Sequence, residues 1–470
     1  MRTSLDRPRL VRAVEFRAGH APIHHAIIRV DRTRQSRALE GVDGQPGFDG
    51  MAALSVQNPD GHFIGWAPGR GPIASPDGMP WRLEPGSDLV IELHLLHVKQ
   101  PVDVQPSVGV YFTDKPPTEQ PVMVVMGTKA IDIPAGNRNY QITDACVLPA
   151  DVKLLSVYPH AHYLGKEMSV HAVLPDGRTL SLLQINRWDF HWQQDYRYAS
   201  PVVLPRGTTI TMHYTYDNSD DNEANPHHPP RAVTWGPQSN DEMGNLGLQM
   251  VPLSRSEATT LAKYFAQREV LDNVRGAEIR VRQAPDSAHE RTWLGSSYLE
   301  AGRIAEAIEH LQIAVRLDPR SAQAHNFLGG ALRAAGRTSE ALTQLRTAAA
   351  LAPSDAHLQF NVGKALATAG RPAEAAPRFE RAIAMDGTFA EAHQELGALL
   401  FSHGRVQEAL PHLERAADLA PDSASAHSDL GGALAEAGRF DEAAAHLRRA
   451  LELDPAYGPA RENLARLPKR

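Results

Sequence analysis

The chain has 470 residues, with 55 acidic against 48 basic side chains, a net charge of -7, 35 Gly, 35 Pro, 22 His and a single Cys. That balance gives no clustered Lys and Arg footprint for nucleic acid or an anionic membrane surface, and no stretch approaches the roughly 18 to 20 apolar residues that span a bilayer. Cys146 alone excludes an internal disulfide and a Cys-rich zinc or iron-sulfur site, so any bound metal must be carried by histidine.

Residues 1–252 hold five of the six Trp residues and short β-branched runs, "SDLVIELHLL", "VKLLSVYPHAH", "MSVHAVL" and "GTTITMHYTY", broken by Pro and Gly. This predicts an all-β region of sandwich type, long enough for two sandwiches, 1–127 and 128–252, with a seam in "FTDKPPTEQPVMVVMGTK". A helical connector follows over 253–285: Ser254 and Glu257 have capping-box spacing, Leu261, Tyr264 and Phe265 form an apolar stripe, and "RQAPDS" reads as a short linker.

From residue 286 the chain repeats without gaps. Gly302, Gly336, Gly370, Gly404 and Gly438 are 34 residues apart, as are Gly295, Gly329, Gly363, Gly397 and Gly431. Pro319, Pro353, Pro421 and Pro455 keep the same step, with Gly387 in the missing place. Small residues such as Ala307 and Ala314 recur where paired helices must touch. The pattern resembles the tetratricopeptide repeat, which implies five repeats and a capping helix over 286–470, an all-α solenoid whose groove takes a protein partner. His325, His393 and His427 share one repeat position but are too far apart along the solenoid to hold one joint metal.

Thirteen of the histidines lie in the β half. His24 and His25 are neighbours in "APIHHAIIRVD"; on a regular strand they face opposite sides, so they share a metal only at a strand end or bulge, and otherwise one is core and one solvated. His160 and His162, two apart in "VYPHAHYLG", place both imidazoles on one face, as a metal clamp or as paired surface histidines. His94 in "LVIELHLLHVK" is a core histidine or a ligand, and His97 is its rival in a shifted register. Met243 in "NDEMGNL" is packing or a soft ligand; imidazole with thioether suits copper, above all Cu(I). His62, His171, His191 and His213 read as structural or surface residues, and His227 with His228 as loop residues.

In order, "HHAIIRVD", "ELHLLH", "PHAHYLGKEM" and "NDEMGNL" resemble the signature segments of the copper type II, ascorbate-dependent monooxygenases, over roughly residues 12–252. The resemblance implies tandem jelly-roll-like sandwiches and two copper ions. His24, His25 and His94 would bind an electron-transfer copper, and His160, His162 and Met243 the catalytic one, with ascorbate as electron donor and O2 as co-substrate. The family hydroxylates a substrate C–H bond, here of a small molecule or peptide. Where its peptide-amidating members carry a carboxylate-anchoring arginine and a substrate-contacting tyrosine, this chain has Tyr158 and Gly247, which argues against peptide amidation. Tyr158 and Asn245, the latter matching the family's "EM-x-N" segment, are the substrate-side candidates.

Only 23 residues precede His24, fewer than the family's first sandwich normally has, and they contain no apolar signal region. The expectation is an upstream natural start with a signal peptide, hence an extracytoplasmic location, or else a cytoplasmic one if this start is real. The competing expectation is a repeat scaffold whose shortened β half binds copper without turnover.

Overall fold

The computed structural model describes residues 1–19, 22–41, 47–48, 56–95, 98–100 and 102–468. The chain divides into two compact units, Met1–Gln283 and Ala284–Arg470.

The first unit contains two antiparallel sandwiches. In the first, strand Arg9–Arg17 pairs with Ile73–Ala74, Trp81–Leu83 and Ser107–Thr113. The facing sheet is built on Ile23–Asp31, which pairs with Val56–Gln57, Gly65–Trp66 and Asp88–Leu95. Val11, Val14 and Phe16 from one sheet meet Ala26, Ile28 and Val30 from the other, with Trp81 and Leu83 in the same core. At about 1.5–3 kcal/mol for each large apolar side chain removed from water, this burial is what stabilises the pair of sheets without a disulfide.

The second sandwich orders Tyr140–Val147, Thr209–Tyr216, Gly165–Val173 and Thr179–Ile185 in one sheet, and Tyr196–Leu204, Val152–His160, Asn245–Pro252 and Val122–Gly127 in the other. Val122–Gly127 precedes the seam expected near residue 128, yet it pairs with Asn245–Pro252 and so completes the second sandwich. Leu154, Val157, Met168, Val170, Met212, Leu246 and Leu248 fill its core.

Helix Arg255–Gln283 belongs to this unit. Ser254 Oγ accepts from the Glu257 amide and donates to Glu257 Oε2 at 3.0 Å, satisfying the first turn. Leu261 and Phe265 enter the second sandwich's core, while Asp272 accepts from Thr128 Oγ1 and the Lys129 amide at 3.0 and 2.7 Å. The connector is therefore docked along its length.

In the second unit five helix pairs run from Ala288–Glu300 with Ile304–Leu317 to Ala424–Glu436 with Phe440–Leu453, followed by Gly458–Arg466. The 34-residue glycine series has two causes. Gly302 and its counterparts adopt left-handed φ values of 68–76° in the turn between paired helices. Gly295 and its counterparts lie where a Cβ would stand 2.4–2.7 Å from Leu311, Leu345, Phe379, Leu413 or Leu447 of the second helix. No helix among the described residues is long and apolar enough to cross a membrane.

Candidate metal centres

The first centre depends on a backbone irregularity. Opposite Asp88–Leu95, the register of Ile23–Asp31 shifts between Ile23 and His25. This bulge at His24 removes the strict alternation that would send neighbouring imidazoles to opposite faces. His25 faces His94 directly across the sheet with rings stacked 3.8 Å apart, and His24 Nδ1 is 2.9 Å from His25 Nδ1. One ligand nitrogen from each of the three lies within 4.8 Å of the others. Imidazole nitrogens bound to one metal at about 2.0–2.1 Å with tetrahedral angles are about 3.3–3.4 Å apart, so the widest pair needs at most roughly 1.5 Å of closing. His97, the rival to His94, lies outside the described residues.

Burial sets the protonation state. Desolvation, aided by neighbouring histidines, lowers His24 to about 4 and His25 to about 2, so both are neutral at physiological pH, the form in which imidazole ligates. Glu92 Oε1 lies 3.0 Å from His94 Nε2, and Glu92 is also paired with Arg29 at 3.2 Å.

The second centre is assembled at the end of strand Val152–His160. His160 pairs across the sheet with Asn245, which places Met243, two residues earlier, just beyond the strand alongside His162. Glu242 joins the pieces. It is fully buried; its Oε1 accepts from the amides of His162 and Met243, the latter at 2.8 Å, and its Oε2 accepts from the Leu164 amide at 3.0 Å. Burial pushes its carboxyl up to about 8 against the opposing pull of these amides. Tyr216 Oη donates to the Met243 carbonyl at 2.8 Å and Tyr214 Oη to the Asn245 carbonyl at 3.0 Å.

The tautomers at this centre follow from partners. His162 Nδ1 faces the Asp241 carbonyl at 3.2 Å, so Nδ1 holds the proton and Nε2 the lone pair. Gln193 donates through Nε2 to the Phe190 carbonyl at 2.9 Å, which turns its Oε1 onto His160 Nδ1 at 2.5 Å. His160 Nε2 is likewise left as the ligating atom. Desolvation lowers His160 to about 4 and His162 to about 3. Two imidazoles aimed by carbonyl acceptors, with the Met243 backbone tied to that of His162 through Glu242, bring together residue types whose nitrogen and thioether donors suit copper.

The segment 188–193 connects the two centres. Trp188 Nε1 donates to the His162 carbonyl at 3.1 Å, and the buried Phe190 ring stands 5.2 Å from His24 and 5.9 Å from His162. A single phenyl ring thus neighbours histidines of both sandwiches. His191, read from sequence as structural or surface, is exposed, and its ring lies 5.8 Å from that of His24 in the other sandwich. Glu242, Phe190 and Gln193 were not singled out from sequence. Only the Glu242–Met243 adjacency carried a hint; the other two owe their role to a tertiary contact without sequence periodicity. His62 is structural, its ring nitrogens facing the Pro59 and Met79 carbonyls at 3.0 and 2.7 Å. His171 and His213 stack on each other in the outer sheet at 5.3 Å, and His227 and His228 lie in the loop after Thr209–Tyr216.

Tyr158 and Gly247, the two departures from the peptide-amidating pattern, are direct cross-strand partners. A Cβ at Gly247 would stand 3.3 Å from Tyr158 Cβ and 2.4 Å from Met123 Cε. The Tyr158 ring packs on Phe63 at 4.3 Å and lies parallel to His160 at 6.3 Å.

Residues 119–254 match the family model of the copper type II ascorbate-dependent monooxygenase C-terminal domain. The tetratricopeptide repeat model matches in four overlapping segments, 294–356, 332–388, 360–424 and 395–458. The chain joins a copper type II monooxygenase domain to tetratricopeptide repeats. Solved structures similar to part of it include Pseudomonas aeruginosa pilF, with 24% identity, 45% of this chain and 96% of that one covered, and a TM-score of 0.38. Another is MamA from Desulfovibrio magneticus, with 22% identity, 36% and 97% covered, and a TM-score of 0.33. YrrB, a repeat protein described with an unusual peptide-binding site, has 20% identity, 40% and 96% covered, and a TM-score of 0.33. No curated protein matches the chain.

Proposed function

We propose that the β half is a monooxygenase that uses O2 and a reductant such as ascorbate to hydroxylate a C–H bond of an organic substrate, while the repeats engage a protein partner. The observation that carries the proposal is the approach of two histidine clusters, one from each sandwich, to the same Phe190 ring. His24, His25 and His94 would hold one copper ion, and His160, His162 and Met243 the other. When bound, copper supplies the one-electron chemistry and the activation of O2.

The chain's own residues do the rest. Burial keeps His160 and His162 neutral, the Asp241 carbonyl and Gln193 fix which nitrogen ligates, and Glu242 ties the methionine turn to the His162 backbone. The buried Phe190 ring sets hydrocarbon beside both His24 and His162. On the substrate side, Tyr158 and Phe63 present an aromatic wall in place of an anchoring cation, which favours a substrate without a free carboxylate at that point. Asn245, opposite His160, offers an amide at the rim of the same centre. The proposal includes an extracytoplasmic location, supported by the usual setting of such enzymes and testable by cell fractionation.

The decisive experiment counts copper per chain after loading and follows ascorbate-dependent O2 uptake. Two coppers with uptake are expected. Fewer than one bound copper would overturn the reading, and copper without uptake would favour a copper-binding repeat scaffold.

A further inference from the structure

Each repeat closes its helix pair with one polar contact between residues 19 apart. The five contacts are Arg291 with His310 at 3.1 Å, His325 with Gln344 at 2.6 Å, Gln359 with Arg378 at 3.0 Å, His393 with His412 at 3.1 Å and His427 with His446 at 3.0 Å. The first and third set an arginine donor against an acceptor, and the second sets an imidazole against a glutamine amide. The last two bring together two imidazoles, Nδ1 to Nδ1, in adjacent repeats.

The outer nitrogen of the first-helix histidine is already committed. His427 Nε2 lies 3.1 Å from the Pro421 carbonyl, and His393 hydrogen-bonds to the backbone of Gly387, the residue at the same repeat position. At His427 the Pro421 carbonyl takes the Nε2 proton, so Nδ1 is a lone pair on the side of His446, and the Gly387 backbone contact favours the same tautomer at His393. This is the arrangement in which a backbone carbonyl orients a metal-ligating histidine.

The geometry points to a two-histidine Cu(II) site in each of these repeats, His393 with His412 and His427 with His446, distinct from the centres of the β half. Two nitrogens 3.0–3.1 Å apart, each about 2.0–2.1 Å from one ion, subtend roughly 95° at it. That angle suits adjacent positions of a square-planar ion better than tetrahedral zinc, and Cu(II) also heads the divalent affinity order for such donors. His412 and His446 are only partly buried, so an ion and its waters can reach them. Acidic groups outnumber basic ones around the pairs: Asp386 acts on His393, Glu380 on His412, and Glu414, Asp418 and Glu442 on His446, against one cation, Arg415, beside His393. Desolvation lowers His393, His412 and His446, which keeps the neutral, ligating form below the ordinary histidine range.

Repeat two supplies the control. His325 with Gln344 shows that glutamine at the second-helix position keeps the contact. The full-length double variant His412→Gln/His446→Gln should retain the helical circular dichroism and thermal midpoint of the metal-free chain. On equilibrium dialysis against Cu(II) it should bind two fewer ions than the unmodified chain, with loss of the matching two-nitrogen copper paramagnetic resonance signal. An unchanged copper count would mean that the pairs share only a proton, and would overturn the proposal. A second measurement needs no variant: Cu(II) should protect His412 and His446 from carbethoxylation mapped by mass spectrometry, and undiminished labelling would also overturn it. Neither outcome bears on the β-half centres.

Discussion

His25 stands directly across the sheet from His94, ring stacked on ring, because strand Ile23–Asp31 takes up an extra residue at His24. The bulge turns a pair that simple alternation would split into two teeth of one three-histidine cluster.

Removing one tooth should cripple that cluster. In His94→Ala, His24 and His25 remain buried but a third of the donor set is lost. Copper affinity at this centre should fall by at least the 10- to 100-fold that changes in outer-shell partners typically cause. Competition against a chelator of known affinity checks this, with His171→Ala, on the outer sheet, as the variant that should leave it unchanged.

Met243→Ile should separate the centres. The substitution keeps an apolar side chain of similar size but removes the thioether, the donor that favours reduced copper. The expected result is loss of ascorbate-dependent O2 uptake with the His24, His25 and His94 copper still bound, read by metal count and paramagnetic resonance.

Much of this was legible in the sequence, and the boundary is physical. The five repeats could be read because Gly295 and Gly302 each obey a local constraint that recurs every 34 residues. The histidine pairs could be singled out because spacing on a strand limits which face a side chain takes. The bulge at His24 could be posed only as a condition, since register is fixed by the partner strand. Phe190, His191 and Gln193 were invisible as a group, because their role comes from a loop of one sandwich reaching the other. The strand Val122–Gly127 escaped the seam expected at 128 for the same reason: its partner is Asn245–Pro252, far along the chain.

Glu242→Gln should loosen the second centre without touching a ligand. Above pH 8, where Glu242 is ionised, the carboxylate accepts three backbone amides through two oxygens; an amide keeps one oxygen and turns an NH2 toward the remaining donors. Leaving a buried donor unmatched costs about 1–3 kcal/mol, so the midpoint of urea unfolding should fall accordingly.

Cys146 should be inert in the native protein. It is buried, and desolvation pushes its thiol up to about 11, so almost no thiolate is present at pH 8. Alkylation by iodoacetamide should be slow until denaturant is added. The sign for stability is fixed as well. The unfolded thiol ionises near its ordinary value of 9.0 and the folded one only near 11, so this residue's contribution declines as pH rises through that interval. Cys146→Ala should flatten that decline in a pH series of urea midpoints.

Gly363→Ala tests whether the repeat period is set by contact between paired helices. A methyl at this position would lie 2.7 Å from the Phe379 ring, whose side chain is fully buried and has no free direction in which to retreat. Helix propensity alone favours the change by roughly 1 kcal/mol, since alanine exceeds glycine in a helix interior. Overpacking a filled core costs typically 1–3 kcal/mol, so the clash should win and the variant should unfold at lower temperature than the parent. Gly363→Ala combined with Phe379→Leu, which installs the residue found opposite the other four glycines, should not rescue it, because those leucines also lie 2.4–2.6 Å or, at Leu447, 2.7 Å from the added carbon. Rescue by Phe379→Ala, measured as a non-additive thermal midpoint in the double-mutant cycle, is the outcome that assigns the strain to this one contact.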